Sequence, residues 1–211
     1  ERGWGLAAPL LRAAGVNIPH ARRLQLSVAA LGLLRLKLHP GPLLRARPHR
    51  LAARDELRAE ICFSLGHALW LNDRYRTCAL WVRTLPAALR TAAPGRRARA
   101  LAIHGFLATM FGPVRQTGGH ALFDRALALA ESCGDRDARS WALIFRLICN
   151  LNRAESADSL KQIEHALSSI DDRSIESGWL RSDVLVGYGW TLLLHGRLGE
   201  LRAAARNLFQ R

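Results

Sequence analysis

Apolar positions recur at helical spacing along most of the chain, and short clusters of Asn, Asp, Gly and Pro interrupt them. No segment shows the alternation of apolar and polar residues that a half-buried strand would need. The predicted helices cover residues 53–71, 75–92, 96–111, 119–133, 136–150, 157–170, 175–195 and 198–210, after two earlier helices at 6–14 and 21–38. Because the turns between them are short, consecutive helices are expected to be antiparallel.

Glycine and proline residues mark several of the predicted boundaries. The pair Pro94-Gly95 cannot continue a helix, and Gly134 is predicted to take a left-handed conformation just before Asp135, which would cap the next helix. The pair Gly118-Gly119 is interpreted as a plain turn ahead of a helix. Pro86 falls inside a predicted helix, which it should kink or end early.

The helical segments repeat along the chain. A small residue ahead of a tight turn recurs at Gly66, Gly105 and Gly189, with Leu147 at the equivalent place in one unit, so the spacings are 39, 42 and 42 residues. Glycine inside a helix costs about 1 kcal/mol unless packing requires it. The three glycines are therefore predicted to be contact points between helices. The repeat units are expected at approximately 53–93, 94–134, 135–171 and 172–211.

This pattern resembles the tetratricopeptide repeat, whose usual period is about 34 residues. The repeats here are longer, and extra residues lie between Phe111 and Gly119. The resemblance implies an all-α fold, namely a tetratricopeptide-like α-solenoid of about four irregular helical hairpins preceded by one or two N-terminal helices. In such a solenoid the first helix of each hairpin lines a concave surface.

A stripe of side chains on each first helix is the candidate peptide- or partner-binding groove. Residues at i, i+3, i+7 and i+10 share one face of a helix. The candidate groove residues are Glu60, Phe63, His67, Trp70, Arg99, Phe106, Trp141, Asp183 and Trp190. At such positions an apolar side chain such as Phe106, Ile144 or Ile148 is more often a core residue than a contact with a partner. The charged members Glu60, Arg99 and Asp183 should face solvent, because burying them unpaired would cost several kcal/mol.

The positive charge is concentrated towards the N-terminus. The 211 residues carry a net charge of +14, and all basic residues except Lys37 and Lys161 are arginine. Residues 1–54 hold ten basic side chains and one acidic, 55–153 hold fourteen and eight, and 154–211 hold seven and eight. Residues 1–52 are therefore predicted as a separate basic segment, helical at first and then a link rich in proline and arginine. This patch suggests an alternative function in a nucleic-acid-associated transcription regulator, although few aromatic residues accompany it.

Motif searches indicate no catalytic centre. Neither lysine lies beside a glycine, as a phosphate-binding loop requires, and the motifs of kinases, esterases and zinc proteases are missing. Ser64 and His67 lie one helical turn apart, but no carboxylate is placed to orient the imidazole. We therefore expect no catalytic, cofactor-binding or metal-ligating residues in this segment.

The cysteines and the lengths of the apolar runs indicate the cellular compartment in which the protein is expected. Cys62, Cys78, Cys133 and Cys149 are widely spaced and are predicted to be buried free thiols in a reducing cytoplasm. No apolar stretch approaches the ~18 residues of a membrane span, so we expect no membrane partner. The chain begins at Glu1 without a pattern typical of a signal peptide, and it is interpreted as part of a longer chain.

A second resemblance lies in the order of features along the chain. It is carried by residues 10–19 with the Arg/Leu-rich helix after them, by residues 125–135, and by residues 177–180 leading into 193–198. These pieces are similar to the C-terminal helical region of bacterial serine/threonine protein kinases in which a signalling ATPase module and degenerate tetratricopeptide repeats follow the kinase domain. The resemblance implies a regulatory or sensing arm that binds a protein, a peptide or a neighbouring domain.

ATP and Mg²⁺ would then bind to the parent chain, through residues that are absent here. Stand-alone ATPase regulators and transcription regulators use similar repeats, so these remain alternative parents.

Overall fold

The computed structural model describes residues 2–19, 21–38, 53–70, 72–111, 118–152, 161 and 175–209. The all-α prediction is confirmed, because the regular secondary structure of these residues is helical and includes no strand. The helices are α1 (Arg2–Ala13), α2 (Arg22–Leu38), α3 (Ala53–Leu69), α4 (Arg74–Ala88), α5 (Pro94–Phe111), α6 (Gly118–Cys133), α7 (Arg136–Asn152), α8 (Ile175–Leu194) and α9 (Leu198–Phe209). The helix predicted at 157–170 and the basic link predicted up to residue 52 lie outside the described residues, except for isolated Lys161.

Local capping interactions explain several helix starts. The side chain of Asp73 accepts a 3.1 Å hydrogen bond from the backbone N–H of Arg76 at the start of α4. Between α6 and α7, Gly134 has φ of +68°, and Asp135 accepts a 2.8 Å hydrogen bond from the N–H of Ala138, as predicted. Short polar side chains and a left-handed glycine therefore separate neighbouring helices where the sequence indicated.

Two boundary predictions are corrected. The pair Gly118-Gly119 is not a plain turn, since both residues belong to the first turn of α6. Gly119 is buried there because its missing side chain lets α6 approach Thr109 of α5 closely. The helix α4 ends at Ala88, two residues after Pro86, and not at the predicted residue 92. The proline is therefore followed by an early end of the helix.

Most of the helices pack around one main core. The helix α5 packs most extensively against α6 and α7, α3 packs against α4, and α8 packs against α7 and α9. Trp81 of α4 lies at the centre, with ring centroids 6.0 Å from Phe106 and 5.5 Å from Phe145. The N-terminal helices belong to the same packing, because α1 contacts α3 and α2 contacts α4.

The three predicted glycine contact points differ from one another. A Cβ atom on Gly66 would overlap the indole of Trp81, and one on Gly105 would lie 3.0 Å from the carbonyl oxygen of Gly119. A Cβ on Gly189 would meet only Leu201 Cδ1, at an ordinary contact distance of 3.5 Å. Close helix approach is thus present at two of the positions, and the third has room for a methyl group.

The cysteines are free thiols, but one of them is not buried. Cys62, Cys78 and Cys149 are buried, and burial raises the pKa of the Cys62 thiol to about 12 and that of Cys78 to about 11. Cys133 is exposed, contrary to the prediction, because it is the last residue of α6 and lies beside the turn at Gly134.

Candidate partner-binding site

The structure brings most of the candidate groove residues together. They are Glu60, Phe63 and His67 on α3, Trp70 just after it, Arg99 and Phe106 on α5, Trp141 on α7, and Asp183 and Trp190 on α8. Contacts connect the members on α3, α5 and α7, as described below. Trp190 is 57% exposed on α8. The side chain of Asp183 is not among those described.

Two of the candidate groove residues are core residues. Phe106 is fully buried and Trp141 is 2% exposed, so neither has a surface to offer a partner. The ring of Trp141 lies 5.0 Å from that of Phe63 and 4.3 Å from that of His67, both on α3. The stripes of α3, α5 and α7 therefore face one another instead of lining an open concave surface, which corrects the assignment of Phe106 and Trp141.

Ion pairs join the outer edges of α3 and α5. Arg96 lies 3.1 Å from Glu56 and 3.4 Å from Glu60, and Arg99 lies 3.3 Å from Glu60. The guanidinium of Arg99 also lies 5.2 Å from the centre of the Phe63 ring, within the range of a cation–π contact. The side chain of Arg99 is only 15% exposed and that of Glu60 33%, which is tolerable because their charges are paired.

A small crevice lies beneath these ion pairs. It is lined by Ala59, Glu60, Phe63, Trp81, Leu85, Ala88, Arg96, Arg99, Ala100 and Ile103. Its volume of about 30 Å³ has room for one or two water molecules, far less than the several hundred Å³ of a small-molecule site. This α3–α5 crevice can therefore take the tip of a side chain from a partner but not a cofactor.

An exposed apolar row distinguishes α8 from the other first helices. Val186, Trp190 and Leu193 are 50%, 57% and 46% exposed and lie at i, i+4 and i+7, so they share one face. We call these three residues the α8 row. Leu194 and Leu198, which lie outside the predicted stripes, are also exposed and extend the apolar surface across the turn to α9. Trp190 is thus the candidate groove residue with the most accessible aromatic surface.

His104 is buried and His67 is partly buried, and both histidines are uncharged at neutral pH. Burial lowers the pKa of His67 and of His104 to about 4. Ser64, one turn from His67, is exposed. Within the described ranges, no group of His, Cys, Asp and Glu side chains is arranged to hold a metal ion. No helix of that same part of the chain is long and apolar enough to cross a membrane.

Comparisons with known proteins identify no relative. No model of a protein family matches the chain, no curated protein matches it, and no solved structure matches it.

Proposed function

We propose that this chain is a non-catalytic protein-interaction scaffold, in which tetratricopeptide-like hairpins stack as an α-solenoid. The contacts of α3 with α4, α5 with α6 and α8 with α9 support the hairpins, and the contacts of α5 with α7 and of α7 with α8 support their stacking. The partner is an amphipathic helical or extended peptide, presented by another protein or by a neighbouring domain.

The α8 row is the observation that carries this proposal. Three large apolar side chains on one helix face are about half exposed, and a contiguous apolar patch of this kind marks interaction surfaces in soluble proteins. Their spacing suits a second helix that presents its own apolar face. Trp190 supplies the large side chain that is typical of a binding hot spot.

The α3–α5 crevice offers a second contact for the same partner. Glu60 and Arg99 present one charge of each sign at its rim, with Phe63 between them. His67 and Trp70, on the same stripe, are partly buried and keep some accessible surface. Phe106 and Trp141 support this surface from below and make no direct contact with the partner.

We propose the regulatory arm of a bacterial serine/threonine protein kinase or signalling ATPase as the biological setting. The order of sequence features described above supports this setting, which places the chain in the cytoplasm. ATP and Mg²⁺ would act in the catalytic part of the parent chain. No residue of the present chain has a role in the phosphoryl transfer.

The binding role is tested by selecting peptides from a displayed random library on the wild-type chain and measuring their affinity for two variants. Trp190→Ser removes the centre of the α8 row. Leu57→Ser is the matched control, since Leu57 has the same exposed fraction of 57% but lies on α3. We expect the selected peptides to bind Trp190→Ser at least ~10-fold more weakly, the typical effect of losing a hot-spot residue, and to bind the control like the wild type.

The opposite results would refute the proposal. They are a selection that enriches no peptide above background, or peptides that bind Trp190→Ser and the wild type equally. Because both substituted side chains are exposed, the circular dichroism spectra and melting curves of the variants should match those of the wild type.

A further inference from the structure

The outward face of α2 carries three large apolar side chains. Leu24, Leu31 and Leu34 are 55%, 67% and 51% exposed and lie at i, i+7 and i+10, along one side of the helix. The opposite side buries Gln25 and Ala29, which are 1% and 6% exposed. Ala29 and Leu33 pack against the core, so α2 carries apolar side chains on both of its sides, and a helix that only packed on a protein core would be polar at the three exposed positions. We call the three leucines the α2 row.

The orientation of α2 is determined by its contact with α4. A Cβ atom on Gly32 would lie 2.6 Å from Val82, so the two helices approach closely at this point. The amide of Gln25 also donates a 2.8 Å hydrogen bond to the carbonyl oxygen of Pro19. Turning α2 to bury its leucines would break both interactions. The α2 row therefore faces away from the protein in the folded chain.

Basic side chains flank the α2 row. Arg23 and Arg35 are exposed and lie on either side of the leucines around the helix. No aspartate or glutamate occurs anywhere in residues 2–54, and α4 beneath contains arginines but no carboxylate. The arginines of α4 are Arg74, Arg76 and Arg83. An apolar ridge flanked by arginines has an anionic, partly apolar surface as its electrostatic complement.

We propose that α2 is a peripheral contact with an anionic phospholipid membrane. Leu24, Leu31 and Leu34 enter the boundary between headgroups and acyl chains, while Arg23 and Arg35 bind the phosphates. Such a helix lies in the plane of the interface, so it needs no membrane-spanning segment. The sequence-based expectation of no membrane partner considered only spanning segments and does not address this mode of contact.

The side chains of the α2 row favour lipid over the other polyanions. Nucleic acid would use the arginines, but three protruding leucines have no partner on a phosphate backbone, and the row carries no aromatic ring on which a base could stack. A peptide helix docks best into a groove, whereas Leu31, two thirds exposed, forms a ridge. A lipid surface accommodates a ridge without any complementary shape.

Vesicle co-sedimentation of the 211-residue chain tests the proposal. One set of vesicles is phosphatidylcholine alone, and the other contains about a third phosphatidylserine, which gives the surface a negative potential. We expect binding to the anionic vesicles, at least ~10-fold weaker binding to the neutral ones, and a fall in affinity as salt rises above ~0.1 M.

Two pairs of variants separate the apolar and electrostatic contributions. Leu31→Ser with Leu34→Ser should weaken binding more than ~10-fold, and Arg23→Gln with Arg35→Gln about 25-fold, because each arginine near the surface contributes about fivefold. The matched controls are Leu57→Ser on α3 and Arg202→Gln on α9, which are similarly exposed but do not belong to α2, and they should bind like the wild type.

Three outcomes would overturn the proposal. The first is no sedimentation with anionic vesicles at low salt. The second is binding that the leucine variant retains in full, which would mean that charge alone attracts the chain. The third is duplex DNA binding that exceeds vesicle binding and depends only on the arginines, which would support the nucleic-acid alternative. If the double leucine variant melts early, the single variant Leu24→Ser provides the same comparison.

Discussion

Gly66 of α3 lies directly beneath the indole of Trp81 on α4, and replacing it with alanine would force the two helices apart. The added methyl carbon would overlap Nε1 of the indole and lie 2.7 Å from its Cδ1. Trp81 is 1% exposed and packs against Phe106 and Phe145, so it has little room to move. The carbonyl of Gly66 also accepts a 2.9 Å hydrogen bond from Thr77 Oγ1, which restrains the backbone.

The size of the effect follows from two opposing contributions. Overpacking costs about 1–3 kcal/mol. Alanine in place of glycine stabilises a helix by about 1 kcal/mol, which partly offsets that cost. Gly189→Ala is the matched control, because the repeat-equivalent Gly189 of α8 has its nearest side-chain neighbour, Leu201 Cδ1, at 3.5 Å. The helix contribution cancels between the two variants, so the difference in their stabilities measures the overpacking cost alone.

The assay is thermal unfolding followed by circular dichroism, with urea unfolding as a second measure of stability. A change of 1 kcal/mol moves the melting temperature of a chain of this size by about 2–4 °C. We therefore expect Gly66→Ala to melt about 2–12 °C below Gly189→Ala, for the overpacking cost of about 1–3 kcal/mol. In a Trp81→Phe background, which removes the indole nitrogen, this difference should shrink.

Equal melting temperatures for Gly66→Ala and Gly189→Ala would refute this reasoning. An undiminished difference in the Trp81→Phe background would show that the cost does not come from the indole. Either result would mean that α3 and α4 can separate at Gly66 without losing stability, contrary to the close approach that the structure shows.

Two further predictions concern pH and capping. Burial lowers the pKa of His67 and His104 from 6.5 to about 4, so between these values the unfolded chain binds protons that the native chain does not. The free energy of unfolding should be highest above about pH 6.5 and fall as the pH decreases towards 4, by up to about 1.4 kcal/mol per pH unit for each histidine. Replacing both histidines by Gln should flatten the pH dependence of the urea midpoint, and an unchanged slope would contradict this. Asp135→Ala should lower the free energy of unfolding by about 1 kcal/mol, because it removes the N-cap of α7, whereas Asp135→Asn should retain most of that stability. Equal losses in the two variants would exclude capping as the cause.

Helix formation in this chain was predictable because it depends on local interactions. The spacing of apolar residues, the left-handed glycine at 134 and the capping side chain of Asp135 act within a few residues of one another. The predicted starts of α7, α8 and α9 agree with the structure, as does the absence of strands from the described residues. The end of α4 was missed by four residues, because the sequence alone does not show where a helix that contains Pro86 loses its hydrogen bonds.

The candidate site shows what periodicity alone could not establish. Phe106 and Trp190 occupy equivalent positions in their stripes, yet Phe106 is fully buried and Trp190 is 57% exposed. Trp141, which begins the stripe on α7, is buried as well. A hydrophobic stripe shows which side chains share a helix face, but the neighbouring element determines whether that face meets protein or water. Trp141 is buried because its ring packs against Phe63 and His67 of α3, whereas Trp190 is left exposed. The sequence by itself therefore determined the helices and their shared faces, and only the tertiary contacts, which join residues far apart in the chain, decided which faces became core and which remained available for binding.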